Sequence, residues 1–301
     1  VRALITGGAG FVGRHLAAHL EAEGDVVVSV DREHDVSVVA ETVDVLRSAR
    51  PDTIFHLAAL SHVGESWHDP TESLRVNVLG TACVLAAARE VVPDATVVVI
   101  SSAEVYGIVA PDELPLSESS ELRPTSPYAA SKLAAEIVAL QAFRGYRQRV
   151  IVIRPFNHIG PGQAPTFFVS ALAHRLVEAR RSGATSIPVG SLAARRDFTD
   201  VRDVVRGYRA AALGASPGCI YNLASGVDVS IADVAARLVS IAHPGATLVE
   251  DASLLRPLDI PVLRGDASRL RECTRWSPSI PIEQSLEDIV ADANATADAG
   301  G

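Results

Sequence analysis

The chain has 301 residues, 48% of them hydrophobic, and a formal charge of −9 from 36 acidic and 27 basic side chains. That length allows one large or two interleaved domains with a sizeable core, and the acidic balance argues against general binding to nucleic acid or anionic membranes. No apolar run reaches about 18 residues, and Cys83, Cys219 and Cys273 are odd in number and far apart, so the expectation is a cytoplasmic protein without membrane span, secretory signal, disulfide framework or metal site.

In chain order, Ala3-Leu4-Ile5 reads as a buried strand, Gly13 to Glu23 as a helix, and Val26 to Val30 as a second strand ending at Asp31. Thr53 to Leu57 and Thr96 to Ile100 are further strands, Leu74 to Val91 and Pro127 to Arg144 long helices, and Val150 to Arg154 another strand. After Phe156 the pattern loosens. Gly160-Pro161-Gly162 and Arg195 to Phe198 read as loops, Thr199 to Leu213 as a helix, Cys219 to Leu223 as a strand, and Ala295 to Gly301 as a frayed tail. Strand–helix alternation predicts an α/β fold with a doubly wound parallel sheet, of Rossmann type, and a smaller α/β substrate-binding domain. The division expected is 1–157 plus 199–224 for the dinucleotide and 158–198 plus 225–301 for a nucleotide sugar.

Gly7, Gly10 and Gly13 follow the first strand and open the first helix. Such glycines allow a tight turn, close approach of a pyrophosphate to the backbone, and close packing of helix on strand. Asp31 ends the second strand 18 residues after Gly13, where it can bond a ribose 2′-hydroxyl. It favours NAD, while the adjacent Arg32 leaves NADP open.

A single one of the 27 cationic side chains, Lys132, is a lysine. It lies four residues after Tyr128, so on a helix the phenol and ammonium share one face. A cation beside a phenol lowers its pKa and makes it a general acid/base. His15 and His19 have the spacing of a metal pair but no third ligand, and the expected position is the outer face of the first helix.

With these glycines, Tyr128 and Lys132, and with Ser101-Ser102-Ala103-Glu104-Val105-Tyr106-Gly107 after a strand, the chain resembles the extended short-chain dehydrogenase/reductase family over nearly its whole length. Arg154 to Gln163 and Val189 to Asp203 resemble most the enzymes of GDP-mannose-derived sugars, in particular GDP-6-deoxy-4-keto-mannose reductases. The resemblance implies that Ser102 polarises a substrate oxygen, that Tyr128 and Lys132 handle its proton, and that Glu104 leaves dehydration open. It further implies cofactor contacts from Phe11, Val12, Asp35, Val36, Leu57, Ala58, Ala59, Asn77 and Pro155. Substrate contacts are implied from Ser61, Val63, Asn157, Arg196 and Arg256, and a homodimer through Leu74–Val91 and Pro127–Arg144. The function implied is reduction of a nucleotide-linked 4-keto-6-deoxyhexose by NAD(P)H. The alternatives are a 4,6-dehydratase or epimerase with tightly held cofactor, or a ketoreductase of a natural-product intermediate.

Overall fold

The computed structural model describes residues 1–254 and 260–299. Its strands are β1 (Arg2–Thr6), β2 (Val26–Val30), β3 (Thr53–His56), β4 (Thr96–Ile100), β5 (Arg149–Pro155) and β6 (Asn157–Ile159). They continue with β7 (Ser186–Val189), β8 (Arg195–Asp200), β9 (Ile220–Leu223), β10 (Asp228–Ser230), β11 (Thr247–Glu250) and β12 (Val262–Leu263). The helices of the first half are α1 (Phe11–Ala22), α2 (Val39–Ala49), α3 (Val63–Ser66), α4 (Pro70–Leu74), α5 (Gly80–Val91) and α6 (Pro127–Tyr146). Those of the second half are α7 (Phe168–Ser182), α8 (Val201–Gly214), α9 (Ile231–Ala242), α10 (Ser268–Thr274) and α11 (Ile282–Ala299).

Among the described residues six parallel strands form the central sheet, in the order β2-β1-β3-β4-β5-β9. The order reverses direction at β1 and β3, and in such sheets the crevice beyond the carboxyl ends at that point takes the ligand. Successive side chains of a strand alternate between faces. Ile5, Val98, Ile151 and Ile153 therefore join one core with Leu16 and Leu20 of α1 and Val204 and Tyr208 of α8. Leu4, Val97, Val99, Val150 and Val152 join the opposite core with Leu46 of α2, Val84 of α5 and Ala139 of α6. Apolar residues on both faces explain why these strands read as unbroken β-branched runs rather than alternating ones.

A single residue, Phe156, separates β5 from β6. The chain there leaves the central sheet for a second one, in which β8 pairs with β6, β10 and β12. A third core packs α7, α9 and α11 together through Leu172, Leu176, Leu238, Leu286 and Ile289. No helix among the described residues is long and apolar enough to cross a membrane.

Three expectations need correction. Arg195 to Phe198 is a strand, because buried Asp197 replaces apolar contact with bonds from Ser225 N and Oγ, Gly226 N and Gly265 N. Leu74 to Val91 is interrupted by a π-turn at Arg75–Leu79. The tail is helical to Ala299, held by buried Ala293 and by an Arg181–Asp298 ion pair at 3.1 Å.

Candidate active site

Gly7 leaves β1 with a φ of +75°, and a Cβ there would come within 2.8 Å of Ala58 N. A Cβ on Gly13 would run into the carbonyl oxygens of Gly7 and Gly8. Gly10 caps α1 without a side-chain bond, so the first helical N–H groups face outward for an anion. Phe11 and Val12 form that first turn. Asp31 closes the loop from the side, its carboxylate accepting from Ala9 N at 2.8 Å and Arg32 N at 2.9 Å, and Arg32 is exposed. This narrow, uncapped cradle fits a dinucleotide diphosphate and ribose. Asp35 is turned to Ser37 and Arg75, whose bonds hold its carboxyl below the usual range. Val36 packs against Gly80, where a Cβ would stand 2.9 Å from it.

Behind the loop Leu57-Ala58-Ala59 lies a buried histidine relay. Thr81 Oγ1 donates to the Asn77 carbonyl at 2.6 Å, so His56 Nε2 must carry the proton it shares with Thr81 at 3.1 Å. His56 Nδ1 is then the acceptor, and Thr6 Oγ1 donates to it at 2.8 Å while accepting from Ala58 N at 3.3 Å. Burial, with a smaller push from the Lys132 charge, drives the imidazole pKa down to about 3, so His56 stays neutral. The relay ties the Leu57-Ala58-Ala59 segment to Asn77. The Asn77 side chain holds both the N–H and C=O of Leu60, at 2.8 and 3.1 Å, and Ser131 Oγ at 2.9 Å.

Ser126 caps α6, and Tyr128 and Lys132 follow in its first turns, both buried. Ser102 begins a short 3-10 turn after β4 and hydrogen-bonds the Tyr128 phenol. The Lys132 ammonium reaches the same strand end, donating to the Ile100 carbonyl at 2.8 Å. The expected lowering of the Tyr128 pKa by Lys132 is not what the arrangement produces. Burial pushes the phenol up to about 12, the Ser102 bond opposes this, and the nearby Glu104 charge adds to it. Burial likewise pulls Lys132 down to about 8, against the raising influence of Glu136. Desolvation disfavours whichever form is charged, and the Lys132 charge is not among the influences that act on the phenol.

Glu136, one turn beyond Lys132, was not anticipated as a site residue. It forms a two-pronged buried pair with Arg154 at 2.8 and 2.7 Å and accepts from Ser101. Arg154 Nη1 also reaches Tyr106 Oη at 3.0 Å, whose hydroxyl lies 2.7 Å from Asn222 Oδ1. Tyr106 is thus a packing residue. The spacing 128, 132, 136 on one helix was the available signal.

On the opposite side, Tyr128 N donates to Ser66 Oγ at 3.2 Å, which seats α3, with Val63 as its first residue and Ser61 just before it, beside the start of α6. Pro155 ends β5. Asn157 pairs in register with Phe198, two residues beyond Arg196. Arg196 is buried and donates to the carbonyls of Arg195 and Ile260 at 2.9 and 2.6 Å. Arg256 and its Arg256-Pro257-Leu258-Asp259 loop lie outside the described residues. His158 Nδ1 donates to the Phe156 carbonyl at 3.1 Å. His15 is not on an outer face, since its Nε2 donates to the Pro161 carbonyl at 2.9 Å.

Residues 3–224 match the model of the NAD dependent epimerase/dehydratase family. GDP-6-deoxy-D-mannose reductase of Pseudomonas aeruginosa is 36% identical over 97% of this chain and 96% of its own length. UDP-glucose 4-epimerase of Mycolicibacterium smegmatis is 32% identical over 96% and 97%. The structure of RMD from Pseudomonas aeruginosa complexed with NADPH superposes with a TM-score of 0.91 at 36% identity, covering 98% of this chain and all of that one. The chain belongs to the NAD dependent epimerase/dehydratase family, the extended short-chain dehydrogenase/reductases, and shares their Rossmann fold and NAD(P) dependence.

Proposed function

We propose that the chain reduces the C4 ketone of a nucleotide-linked 4-keto-6-deoxyhexose, with GDP-6-deoxy-4-keto-mannose the favoured type. The bound nicotinamide supplies the hydride. Ser102 polarises the ketone oxygen, and Tyr128 gives it a proton as the carbon is reduced. The observation that carries this reading is buried Tyr128 beside Ser102, one helical turn before buried Lys132 on α6. Lys132, fixed on Ile100, keeps its charge near neutrality beside them. The match to the reductase over nearly both full lengths supports the substrate class. Asn157, Arg196 and Arg256 are proposed to meet the nucleotide diphosphate, for which the planar guanidinium is well shaped.

The assay is absorbance at 340 nm with NADH or NADPH in excess over a 4-keto-6-deoxy sugar nucleotide. Stoichiometric loss of reduced cofactor is expected. Turnover of sugar without it would replace reduction by a redox-neutral dehydratase or epimerase, the second reading, which Glu104 beside Tyr128 and the likeness to the UDP-glucose epimerase favour.

The division proposed is 1–157 plus 199–224 and 158–198 plus 225–301; the core of α7, α9 and α11 supports it, whereas Ile260, Leu263, Ala267, Leu270 and Trp276 pack into the cofactor-side core. A cytoplasmic homodimer is proposed through Leu74–Val91 and Pro127–Arg144, where Ile137 is 62% exposed and Leu74 and Leu79 also stand open. Sedimentation of Ile137→Glu as a monomer, against a dimeric parent, is the expected result.

A further inference from the structure

One contact joins the glycine loop to the far lobe. Arg14, in the first turns of α1, donates through Nη1 to the carbonyl of Ala9, inside the loop, and through Nη2 to the carbonyl of Gly162 at 3.2 Å, 148 residues away. Its neighbour His15 holds the Pro161 carbonyl at 2.9 Å. Phe11 lies parallel to the His158 ring at 6.2 Å and edge-on to His15 at 5.4 Å. Gly160 fits against Val201 and the Phe11 ring with no room for a side chain, and Gly162 N is held by Asp292 of α11 at 2.8 Å.

Ala9 is gripped from both ends. Its N–H goes to Asp31 and its C=O to Arg14. Diphosphate binding fixes the backbone of such a loop, because the anion is held by its N–H groups. The Ala9 carbonyl is then fixed too, and with it the guanidinium. That fork is planar and rigid, so orienting one nitrogen orients the other. The second nitrogen sets Gly162, four residues after His158 and five after Asn157 on β6. We propose that Arg14 and His15 are positioning residues that transmit occupancy of the cofactor loop to the 158–163 segment and so present Asn157 and His158 to the substrate. The inference rests on cofactor binding at the glycine loop and deepens the reading above, without depending on which sugar is reduced.

The test is amide hydrogen exchange on the full chain, with and without saturating NADPH. In the parent, NADPH slows exchange at 7–13 and, about fivefold or more, at 158–167. Arg14→Ala and Arg14→Lys, checked for an unchanged melting temperature, keep the slowing at 7–13 and lose it at 158–167, since an ammonium cannot span both carbonyls. His15→Gln retains it, as its amide N–H reaches the same carbonyl. A parent segment 158–167 indifferent to NADPH, or one protected equally in Arg14→Ala, overturns the proposal. Absence of protection at 7–13 in the parent overturns the cofactor site itself and this inference with it.

Discussion

Lys132 and Glu136 stand one turn apart on α6 and face different partners. The ammonium is anchored on the Ile100 carbonyl at 2.8 Å, while the carboxylate is engaged by Arg154 at 2.7 Å and by Ser101. Glu136 therefore acts on Lys132 through space. It raises the ammonium pKa, but not enough to offset burial.

Lys132→Arg keeps a charge but replaces a compact group with a wide fork in a buried slot. Turnover should fall at least about 100-fold, or about 2.7 kcal/mol in the barrier, in a protein that melts normally. Steady-state kinetics beside thermal melts check this.

The pH dependence follows from the same residue. Its folded pKa of about 8 lies below the unfolded lysine value, so burying the charge costs stability at neutral pH, and the cost fades as pH rises from about 8 to the unfolded pKa of about 10.4. Lys132→Met should raise the melting temperature by about 2 °C or more at pH 7, with the gain shrinking over that range. Reduction should hold steady up to about pH 8 and decline above it. Tyr128, pushed up to about 12, adds no break below that. A profile of kcat/KM from pH 6 to 10 tests the order.

Glu136→Gln leaves the buried Arg154 guanidinium without its counter-charge. A loss of about 3–5 kcal/mol is expected in urea unfolding, and Arg154→Met added to it should recover part. In the double variant the pH break in kcat/KM should move below about 8, because Lys132 has lost the carboxylate that raised its pKa.

Asp31 and Arg32 divide cofactor choice. Asp31→Ser should lower kcat/KM for NADH about tenfold and spare NADPH, because the carboxylate suits a 2′-hydroxyl and repels a 2′-phosphate. Arg32→Ala should do the reverse.

Gly13→Ala places a methyl group on two carbonyl oxygens of the turn. Cofactor titration by fluorescence should show NADPH affinity reduced at least about tenfold, with the central sheet intact by circular dichroism.

The inner strands of the central sheet were legible because they are runs rich in β-branched residues buried on both faces, as in Thr96 to Ile100, whose side chains pack alternately on two cores. The glycine loop was legible because its requirement is local, a turn at Gly7 and a close approach at Gly13. By contrast β8 was hidden. Arg195-Arg196-Asp197 is held through hydrogen bonds to segments 28 and more residues away, and periodicity does not register those. His15 was misplaced for the same reason, since its partner Pro161 is 146 residues distant.

The sequence by itself determined the family and pointed to its chemistry: a candidate dinucleotide loop at Gly7, Gly10, Gly13 and Asp31, and Tyr128 and Lys132 one turn apart on one helix as the proposed proton-handling pair. Those depend on short spacings, within one helix for Tyr128 and Lys132 and within one strand–helix–strand unit for the glycines and Asp31. Only the tertiary structure decided the electrical state of the pair and the company it keeps. Desolvation reversed the expected direction of the Tyr128 shift, and Glu136, Arg154, His56 and Arg14 acquired their roles from contacts between segments far apart in the chain.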